Sequence, residues 1–314
     1  MFERVFKLSE HKTTVKTEVM AGITTFMTMA YILAVNPSVL GSTGMDTTAV
    51  LLATALASCL GTLCMAFMAN LPFALSAGMG LNAFMAYTVV AGYGYSWQVA
   101  LLAVFIEGLI FIVLSLTNIR EAIFNAIPLT LKKGVSVGIG LFIAFIGLQN
   151  SGLCVDSATL VGIISFPENF HTAGICALLT LIGLFFTAVF YTRKMKGAIL
   201  YGILLTWILG MLCQVTGLYV PTPDAGFYSL FPSWGMTDFS RLGLTFGQCF
   251  NVDFSAVGIV NFIVVIFSFL FVDIFDTLGT LIGVATKAKM LDKDGKLPGC
   301  LLYTSDAADD SLRV

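Results

Sequence analysis

The chain has very little charge and almost no histidine. Charged residues make up 11% of its 314 residues and histidine occurs only twice, whereas soluble globular domains carry about 25% charged residues. The net charge is −2, with no basic patch beyond short loops. These shortages exclude a soluble enzyme, and no nucleic acid partner is expected. What is abundant is apolar: 58% of residues are hydrophobic and the mean hydropathy is +0.94, which predicts a polytopic membrane protein.

The chain also lacks paired cysteines. Its seven cysteines are scattered, form no CxxC pair and do not form a metal-ligand pattern with either histidine. A zinc site or a disulfide framework needs such spacing, so we interpret these thiols as small hydrophobic side chains and expect no metal and no cofactor. A cleavable signal peptide is not expected either, because residues 1–18 are polar and charged.

Eight apolar stretches approach the ~20 residues that a membrane-spanning helix needs. They cover approximately residues 19–40, 48–69, 72–91, 97–117, 134–150, 173–191, 197–219 and 256–284. Inside all eight, the charged side chains are Glu107, Asp273 and Asp276. The sequence therefore predicts an all-α, multi-pass protein of the cell membrane whose helices contact the lipid bilayer.

The loop charges predict the orientation of these spans. The segment before the first span, the loops 118–133 and 192–196, and the segment after the eighth span carry four, three, three and four Lys or Arg residues. The alternate loops, at 41–47, 92–96, 151–172 and 220–255, carry only Arg241. Because basic residues collect on the cytoplasmic side, we expect a cytoplasmic N-terminus.

The third predicted span, LPFALSAGMGLNAFMAY (71–87), is unusual in composition. It begins with Pro72 and has Gly78 and Gly80 near its centre, with Asn82 close by. Irregular backbone at membrane depth is tolerated where protein or a cavity covers it, and interrupted spans build the substrate sites of many secondary transporters. We predict a discontinuous span, with a kinked helix whose glycines allow close packing as the open alternative.

The three acids inside the spans are the candidate chemical groups. Asp273 and Asp276 are three residues apart and therefore share a helix face. A charge at bilayer depth costs ~2.5–3.5 kcal/mol, and two neighbouring carboxylates cannot both ionise freely there, so one is a candidate proton carrier. A buried structural pair is the alternative. For Glu107, a structural hydrogen bond and a role in proton coupling stay equally open.

Enzymatic interpretations of these acids fail on their context. FDTLGT (275–280) differs from the Asp-Thr-Gly of aspartic proteases because Leu278 intervenes. An intramembrane protease would need a second aspartate on another span, and a P-type ATPase would need a lysine after its aspartate and large cytoplasmic domains. We therefore expect that the chain is not an enzyme.

Several long motifs resemble one family. TTFMTMAYILAVNP (24–37), LPFALSAGMGLNAF (71–84), REAIFNAIP (120–128), KKGVSVGIGLFIAFIGL (132–148) and FVDIFDTLGT (271–280) resemble the AzgA-like purine permeases. These belong to the nucleobase–cation symporter (xanthine/uracil permease) family, and the resemblance covers residues 1–299. It implies fourteen spans in two inverted repeats of seven, with the third and tenth discontinuous, and a core domain that moves against a gate domain.

The resemblance also implies a function and a site. It implies proton-coupled uptake of adenine, guanine or hypoxanthine, with the purine bound between the third, eighth and tenth spans. Asn82 is then a base contact, while Asp273 and Asp276 serve base binding and proton coupling in an order that stays open. The backbone N–H groups around Ala77 and Gly78 would complete the polar lining. Full-length relatives of this architecture often form homodimers.

The resemblance ends near residue 299. The last residues, CLLYTSDAADDSLRV (300–314), are short, acidic and without a spanning pattern. We expect residues 1–299 to be a partial permease domain with eight spans, and 300–314 to be a non-native tail. Six expected spans, including the tenth, would then be absent, and the 314-residue chain is predicted not to transport.

Two other functional hypotheses stay open from the sequence. One is a transporter of the same architecture for uracil, xanthine or an anion. The paired aspartates before Thr-Leu-Gly-Thr favour the AzgA-like branch, since the uracil branch is expected to have a glutamate there. The other is a non-transporting membrane receptor or scaffold, which predicts that Asp273→Asn or Asp276→Asn leaves function intact.

Overall fold

The computed structural model describes residue 6 and residues 13–69, 74–117, 128–158, 160–195, 197–222, 226–232, 238–252 and 257–287. The α-helices within these residues are α1 (Val15–Met29), α2 (Ile32–Gly41), α3 (Thr47–Cys64), α4 (Met79–Ala83), α5 (Trp97–Leu116), α6 (Leu129–Asn150), α7 (Phe166–Asn169), α8 (Ile175–Thr192), α9 (Ala198–Val215) and α10 (Ile259–Lys287). Segments of π-helix, Met65–Ala69, Phe84–Gly92 and Phe170–Gly174, extend α3 and α4 and precede α8.

Six helical segments among the described residues are long and apolar enough to cross a membrane. They are Val15–Gly41, Thr47–Phe67, Trp97–Leu114, Phe166–Thr192, Ala198–Val215 and Ile259–Asp276. The predicted third and fifth spans correspond to the shorter apolar helices Met79–Gly92 and Val137–Asn150. The all-α polytopic class is therefore confirmed. The fourteen-span architecture stays a prediction, and the segment 300–314 lies outside the described residues.

The first span contains a break that the apolar pattern does not reveal. The amide of Leu33 donates to the carbonyl of Ala30 at 3.2 Å, a tighter turn than that of an α-helix, and separates α1 from α2. Pro37 lies inside α2. Proline has no N–H to donate to the carbonyl of Leu33 and disturbs the helix at that point.

The chain divides into two compact units. Unit 1 comprises residues 1–140 and 237–314, and unit 2 comprises residues 141–236. The division falls inside α6. Unit 1 thus contains the predicted spans one to four and eight, together with all three span acids. This grouping joins α10 to helices that precede it by more than 140 residues of sequence.

The core of unit 1 forms where α5 and α10 pack together. Ala100 and Ala103 on α5 are fully buried, and so is Phe269 on α10. Small side chains on one helix let the other approach closely, which is how helices without a hydrophobic driving force between them associate in membranes. The T-shaped ring pair of Phe84 and Phe269, with centroids 5.1 Å apart, joins the third span to α10.

Unit 2 contains an antiparallel helix pair, α8 and α9. Gly197, with φ of +76°, precedes α9 in the turn that joins them, a left-handed conformation that glycine adopts at no steric cost. A β-hairpin of β1 (Cys154–Ser157) and β2 (Leu160–Ile163) lies in the predicted loop 151–172. The alternation of apolar residues there is too short to predict a hairpin.

The predicted loop 220–255 contains two short 3₁₀-helices within its described part, Phe239–Leu244 and Gln248–Phe250. The first packs against α3, where Arg241 Nη1 donates to Asp46 Oδ2 at 3.0 Å. Asp46 is also the N-cap of α3, because its Oδ1 accepts a hydrogen bond from the amide of Ala49 at 2.8 Å. One carboxylate thus fixes both the start of α3 and the adjoining loop.

Candidate functional site

The third span is discontinuous, as its composition predicts. Residues 74–78, called here the extended segment after the backbone conformation at Gly78, are not helical, and the helix begins only at Met79. Gly78, the N-cap residue, has φ −69° and ψ 114° and makes no side-chain capping hydrogen bond. Ala77 and Gly78 are half-buried. The extended segment 74–78 therefore ends at a helix start whose first-turn N–H groups have no intrahelical partner.

Side chains of α3 hold the extended segment in place. Thr62 Oγ1 accepts a hydrogen bond from the amide of Leu75 at 2.9 Å and lies 3.4 Å from the carbonyl of the same residue. The hydroxyls of Ser58 and Ser76 are 2.9 Å apart. The Thr62 contacts satisfy backbone groups of Leu75 that a continuous helix would satisfy internally, which makes irregular backbone tolerable at membrane depth.

The carboxylate of Asp276 lies against the first turn of α4. A Cβ atom built on Gly80 would be 3.6 Å from Asp276 Oδ2 and 3.9 Å from Oδ1. A methyl group at position 80 would thus touch the carboxylate at ordinary van der Waals distance, and a larger side chain would reach into its space. Through this contact the structure brings the predicted third and eighth spans together at the helix start that follows the extended segment.

The two aspartates continue a buried apolar stripe along α10. Phe262, Val265 and Phe269 are buried, and Asp273 and Asp276 follow at helical spacing with exposed fractions of 4% and 7%. Both acids therefore lie on the buried face of α10. Side chains beyond Asp276 lie outside the described residues.

Glu107 is the third buried acid of unit 1, with an exposed fraction of 4%. It lies one turn before Phe111 on α5, and Phe111 packs in a cluster with Leu270 and Ile274 of α10. The glutamate thus occupies the face of α5 that packs against α10. Its role in proton coupling stays a prediction.

Asn82 is the end of a hydrogen-bond chain that links three spans. Its Nδ2 donates to Asn36 Oδ1 at 2.6 Å, and Asn36 Nδ2 donates to Thr54 Oγ1 at 2.7 Å. Thr54 Oγ1 in turn donates to the carbonyl of Val50, also at 2.7 Å. Asn36 and Thr54 are buried and Asn82 is half-buried. The predicted base contact is therefore held by a fixed polar network.

A cavity of about 540 Å³ lies elsewhere in unit 1. It is bounded by α1, α3 and the extended segment, and its lining, which includes Phe26, Leu63 and Leu75, is mostly apolar. Neither Asn82 nor the three span acids belong to the lining. Size alone does not make this cavity the substrate site, since a purine needs convergent polar groups.

We call Asn36, Thr54, Gly80, Asn82, Asp273 and Asp276 the polar cluster, and the sequence does not predict the contacts of three of them, Gly80, Asn36 and Thr54. Gly80 is recognised there as part of the interruption but not as the neighbour of a carboxylate. Asn36 and Thr54 are polar residues inside apolar spans, a signal that points to buried partners. Their partners, however, lie 46 and 18 residues away from Asn36, and a single sequence does not reveal such pairings.

Comparisons with known proteins agree on one family. A profile described as "Permease family", that of the xanthine/uracil permeases, matches residues 16–300. The chain is 46% identical over 297 residues to a permease of Methanocaldococcus jannaschii, covering 94% of this chain and 63% of that protein. It is 40% identical over 302 residues to an adenine permease of Escherichia coli, covering 95% and 62%. It is 44% identical over 303 residues to a guanine/hypoxanthine permease of Bacillus subtilis, covering 93% and 64%.

These relatives are longer than the chain. The chain spans a little under two thirds of the length of each of the three. The matched part includes both the extended segment 74–78 and α10. The aligned region therefore contains every residue of the polar cluster described above.

Proposed function

This chain belongs to the xanthine/uracil permease family, whose members are transporters rather than enzymes, and from that premise we propose that it serves the uptake of purine nucleobases. The substrates would be adenine, guanine or hypoxanthine, the bases for which two of the relatives are named. The observation that carries the proposal is the contact of the Asp276 carboxylate with Gly80 at the start of α4.

The chemistry of the cluster suits a purine. A carboxylate accepts two hydrogen bonds at once, and a purine presents neighbouring N–H donors. The amide of Asn82 can both donate and accept, as a ring with both kinds of group requires. Backbone N–H groups at Ala77 and Gly78 would add donors to the same lining. A flat base bound here would contact the third span and α10 together.

The buried acids also suit proton coupling. In a low-dielectric site a carboxylate is far more stable when it is protonated or paired. We propose that Asp276 or Asp273, with Glu107 as a further candidate, takes up a proton together with the substrate. The loaded site is then neutral and crosses the membrane at lower cost than a charged one.

We propose further that unit 1, which contains the third and eighth spans, belongs to the core domain that moves against a gate domain. The N-terminus is proposed to be cytoplasmic, because the basic loops alternate with loops that carry only Arg241. Single cysteines labelled by a membrane-impermeant reagent test the orientation. Labelling from outside at residue 241 but not at residue 193 is expected in a cysteine-free background, and the reverse pattern would refute it.

The length comparison bears on activity. About a third of each relative lies outside the matched region. We therefore propose that the gene encodes a longer protein that continues after Gly299, called here the full-length protein, and that transport requires it. We propose homodimer formation only for that form. Sequencing downstream of Gly299 should find a continuous open frame with six more apolar stretches, and a native stop codon after Val314 would contradict this.

Uptake of radiolabelled hypoxanthine by cells without their own purine permeases tests the proposed function. Full-length protein should accumulate the base, a protonophore should abolish accumulation, and the 314-residue chain should give none. Unlabelled adenine and guanine should compete, whereas uracil and xanthine should not. Competition by uracil or xanthine alone would favour the alternative transporter, and absence of any uptake would favour a receptor or scaffold.

A further inference from the structure

The hydrogen-bond chain of Asn82, Asn36 and Thr54 has a fixed direction. It ends at the carbonyl of Val50, which can only accept. Thr54 must therefore use its single hydroxyl proton on Val50, and its oxygen must accept from Asn36. Asn36 then has its nitrogen toward Thr54 and its carbonyl oxygen toward Asn82. Only the nitrogen of the Asn82 amide can complete the chain at 2.6 Å.

This direction decides which atom Asn82 presents elsewhere. A rotation of the Asn82 amide by 180° would set its oxygen against the oxygen of Asn36. A matching rotation of Asn36 would place its Oδ1 against Thr54 Oγ1. These two oxygens could then hydrogen-bond only if the Thr54 hydroxyl gave up its bond to the carbonyl of Val50. Asn36 and Thr54 are 3% and 5% exposed, so water does not readily replace a lost partner.

We propose that Asn36 is a positioning residue that determines base selectivity by fixing the amide orientation of Asn82. The inference rests on the proposed function, since it requires a purine at Asn82. Among the described residues the Asn82 side chain has no recorded hydrogen bond other than the one to Asn36. Its Oδ1 is thus the acceptor that a base N–H would meet.

An amide held in one orientation, with its Oδ1 and the second N–H of its Nδ2 both fixed, distinguishes 6-amino from 6-oxo purines. Adenine has an acceptor at ring position 1 and a donor at position 6, whereas hypoxanthine has a donor at position 1 and an acceptor at position 6. The two bases have the same kinds of ring nitrogen elsewhere. A single amide that discriminates between the two bases must therefore hydrogen-bond to positions 1 and 6. Its side chain must not rotate, because rotation exchanges the positions of its donor and its acceptor.

The test measures the ratio of uptake efficiencies, kcat/KM, for adenine and hypoxanthine in the full-length protein. Asn36→Ala frees the Asn82 amide, and Thr54→Val removes the anchor of Asn36 while keeping the side-chain shape. In both variants the ratio should move toward one by about tenfold, the effect of one hydrogen bond, mainly through KM.

Thr28→Val is the matched control. Thr28 is buried in unit 1, and its hydroxyl donates only within its own helix, to the carbonyl of Thr25 at 2.8 Å. The variant loses the same chemical group as Thr54→Val and should keep the wild-type ratio. Uptake is normalised to the amount of folded protein in the membrane, so a loss of protein alone does not alter the ratio.

The outcomes separate this inference from the function on which it rests. If wild-type protein takes up neither base, the proposed function fails. If it takes up purines with a ratio near one, or if Asn36→Ala and Thr54→Val both keep the wild-type ratio, the purine function stands and the positioning role of Asn36 is refuted. A ratio closer to one than that of wild type, in those two variants and not in Thr28→Val, supports the inference.

Discussion

The two units differ most in what they bury. Among the described residues, the buried polar side chains are Thr28, Asn36, Thr54, Glu107, Asp273 and Asp276, and all six belong to unit 1. The buried side chains recorded for unit 2 are apolar apart from Tyr219, whose hydroxyl donates to the carbonyl of Tyr228 at 2.7 Å. Since buried polar groups are costly at bilayer depth, their concentration in unit 1 supports the proposal that the purine binds there.

Unit 2 uses polar side chains for packing. Thr187 and Thr206 each donate to a carbonyl four residues earlier in their own helix, those of Gly183 and Gly202. Each threonine also lies directly over the glycine of the opposite helix, where an added Cβ atom would collide with its hydroxyl. The hydroxyl protons are used within each helix, and the reciprocal contact fixes α8 against α9.

The largest expected effect concerns the acid that contacts the third span. Asp276→Asn in full-length protein should lower the initial rate of hypoxanthine uptake by about a hundredfold, because a charge-assisted hydrogen bond and a proton carrier are lost together. The control is Asp156→Asn, the same change at an exposed position of unit 2. Equal rates in the two variants would remove the distinction between the units.

A smaller but clear effect is expected for the helix pair of unit 2. Gly202→Ala places a methyl group against Thr187 and should reduce the free energy of unfolding by about 1–3 kcal/mol, the usual cost of overpacking. Thermal unfolding in detergent measures it. Gly147→Ala, where no atom lies within 4 Å, should be neutral or slightly stabilising. If Gly202→Ala behaved like Gly147→Ala, the reciprocal contact would not be tight.

The contact between Gly80 and Asp276 can be tested by placing side chains of increasing size at position 80 and measuring uptake. At 3.6 Å the Cβ of Gly80→Ala meets Asp276 Oδ2 at an ordinary van der Waals distance, so uptake should fall little. Gly80→Val adds two methyl groups there, and uptake should fall about tenfold, corresponding to about 1.4 kcal/mol, as the carboxylate is displaced. Immunoblotting of membranes checks that both variants are present. Similar uptake by both would mean that Asp276 does not need this position.

The smallest effects are expected at the ion pair of Arg241 and Asp46, in unit 1 but away from the polar cluster. Arg241→Ala and Asp46→Asn should each reduce the free energy of unfolding by no more than about 1 kcal/mol, because Arg241 is half exposed. Asp46→Ala also removes the cap of α3, which adds about 1 kcal/mol. Equal unfolding temperatures for Asp46→Asn and Asp46→Ala would show that the cap contributes nothing.

The sequence predicts the positions of the helices in this protein better than it predicts the contacts between them. The second span, expected at 48–69, is observed as Thr47–Phe67, because long apolar runs between polar loops are unambiguous. The interruption before Met79 is also predictable, since Pro72 and two glycines weaken any helix there. The spacing of Asp273 and Asp276 predicts their common face, and the buried stripe of α10 agrees with it.

The side chains that organise the cluster are beyond such reasoning. Gly80 lies beside a carboxylate 196 residues later in the chain, and the orientation of Asn82 is fixed by residues on two earlier spans. Helical periodicity shows which face of a helix is buried, but it does not show which helix packs against that face. The break between α1 and α2 and the β-hairpin at 154–163 are not predictable from the sequence for a different reason, since both depend on local hydrogen bonds rather than on hydrophobic pattern.

The steady-state ratio of radiolabelled hypoxanthine inside and outside the cell tests the central claim most directly. It is measured in full-length protein with both Asp273→Asn and Asp276→Asn, beside wild type at equal protein levels. Wild-type protein is expected to concentrate hypoxanthine inside the cell. The double variant is expected to give an inside-to-outside ratio no higher than that of cells that lack the protein. Accumulation by the double variant to the wild-type ratio would contradict the assignment of these acids to the purine site.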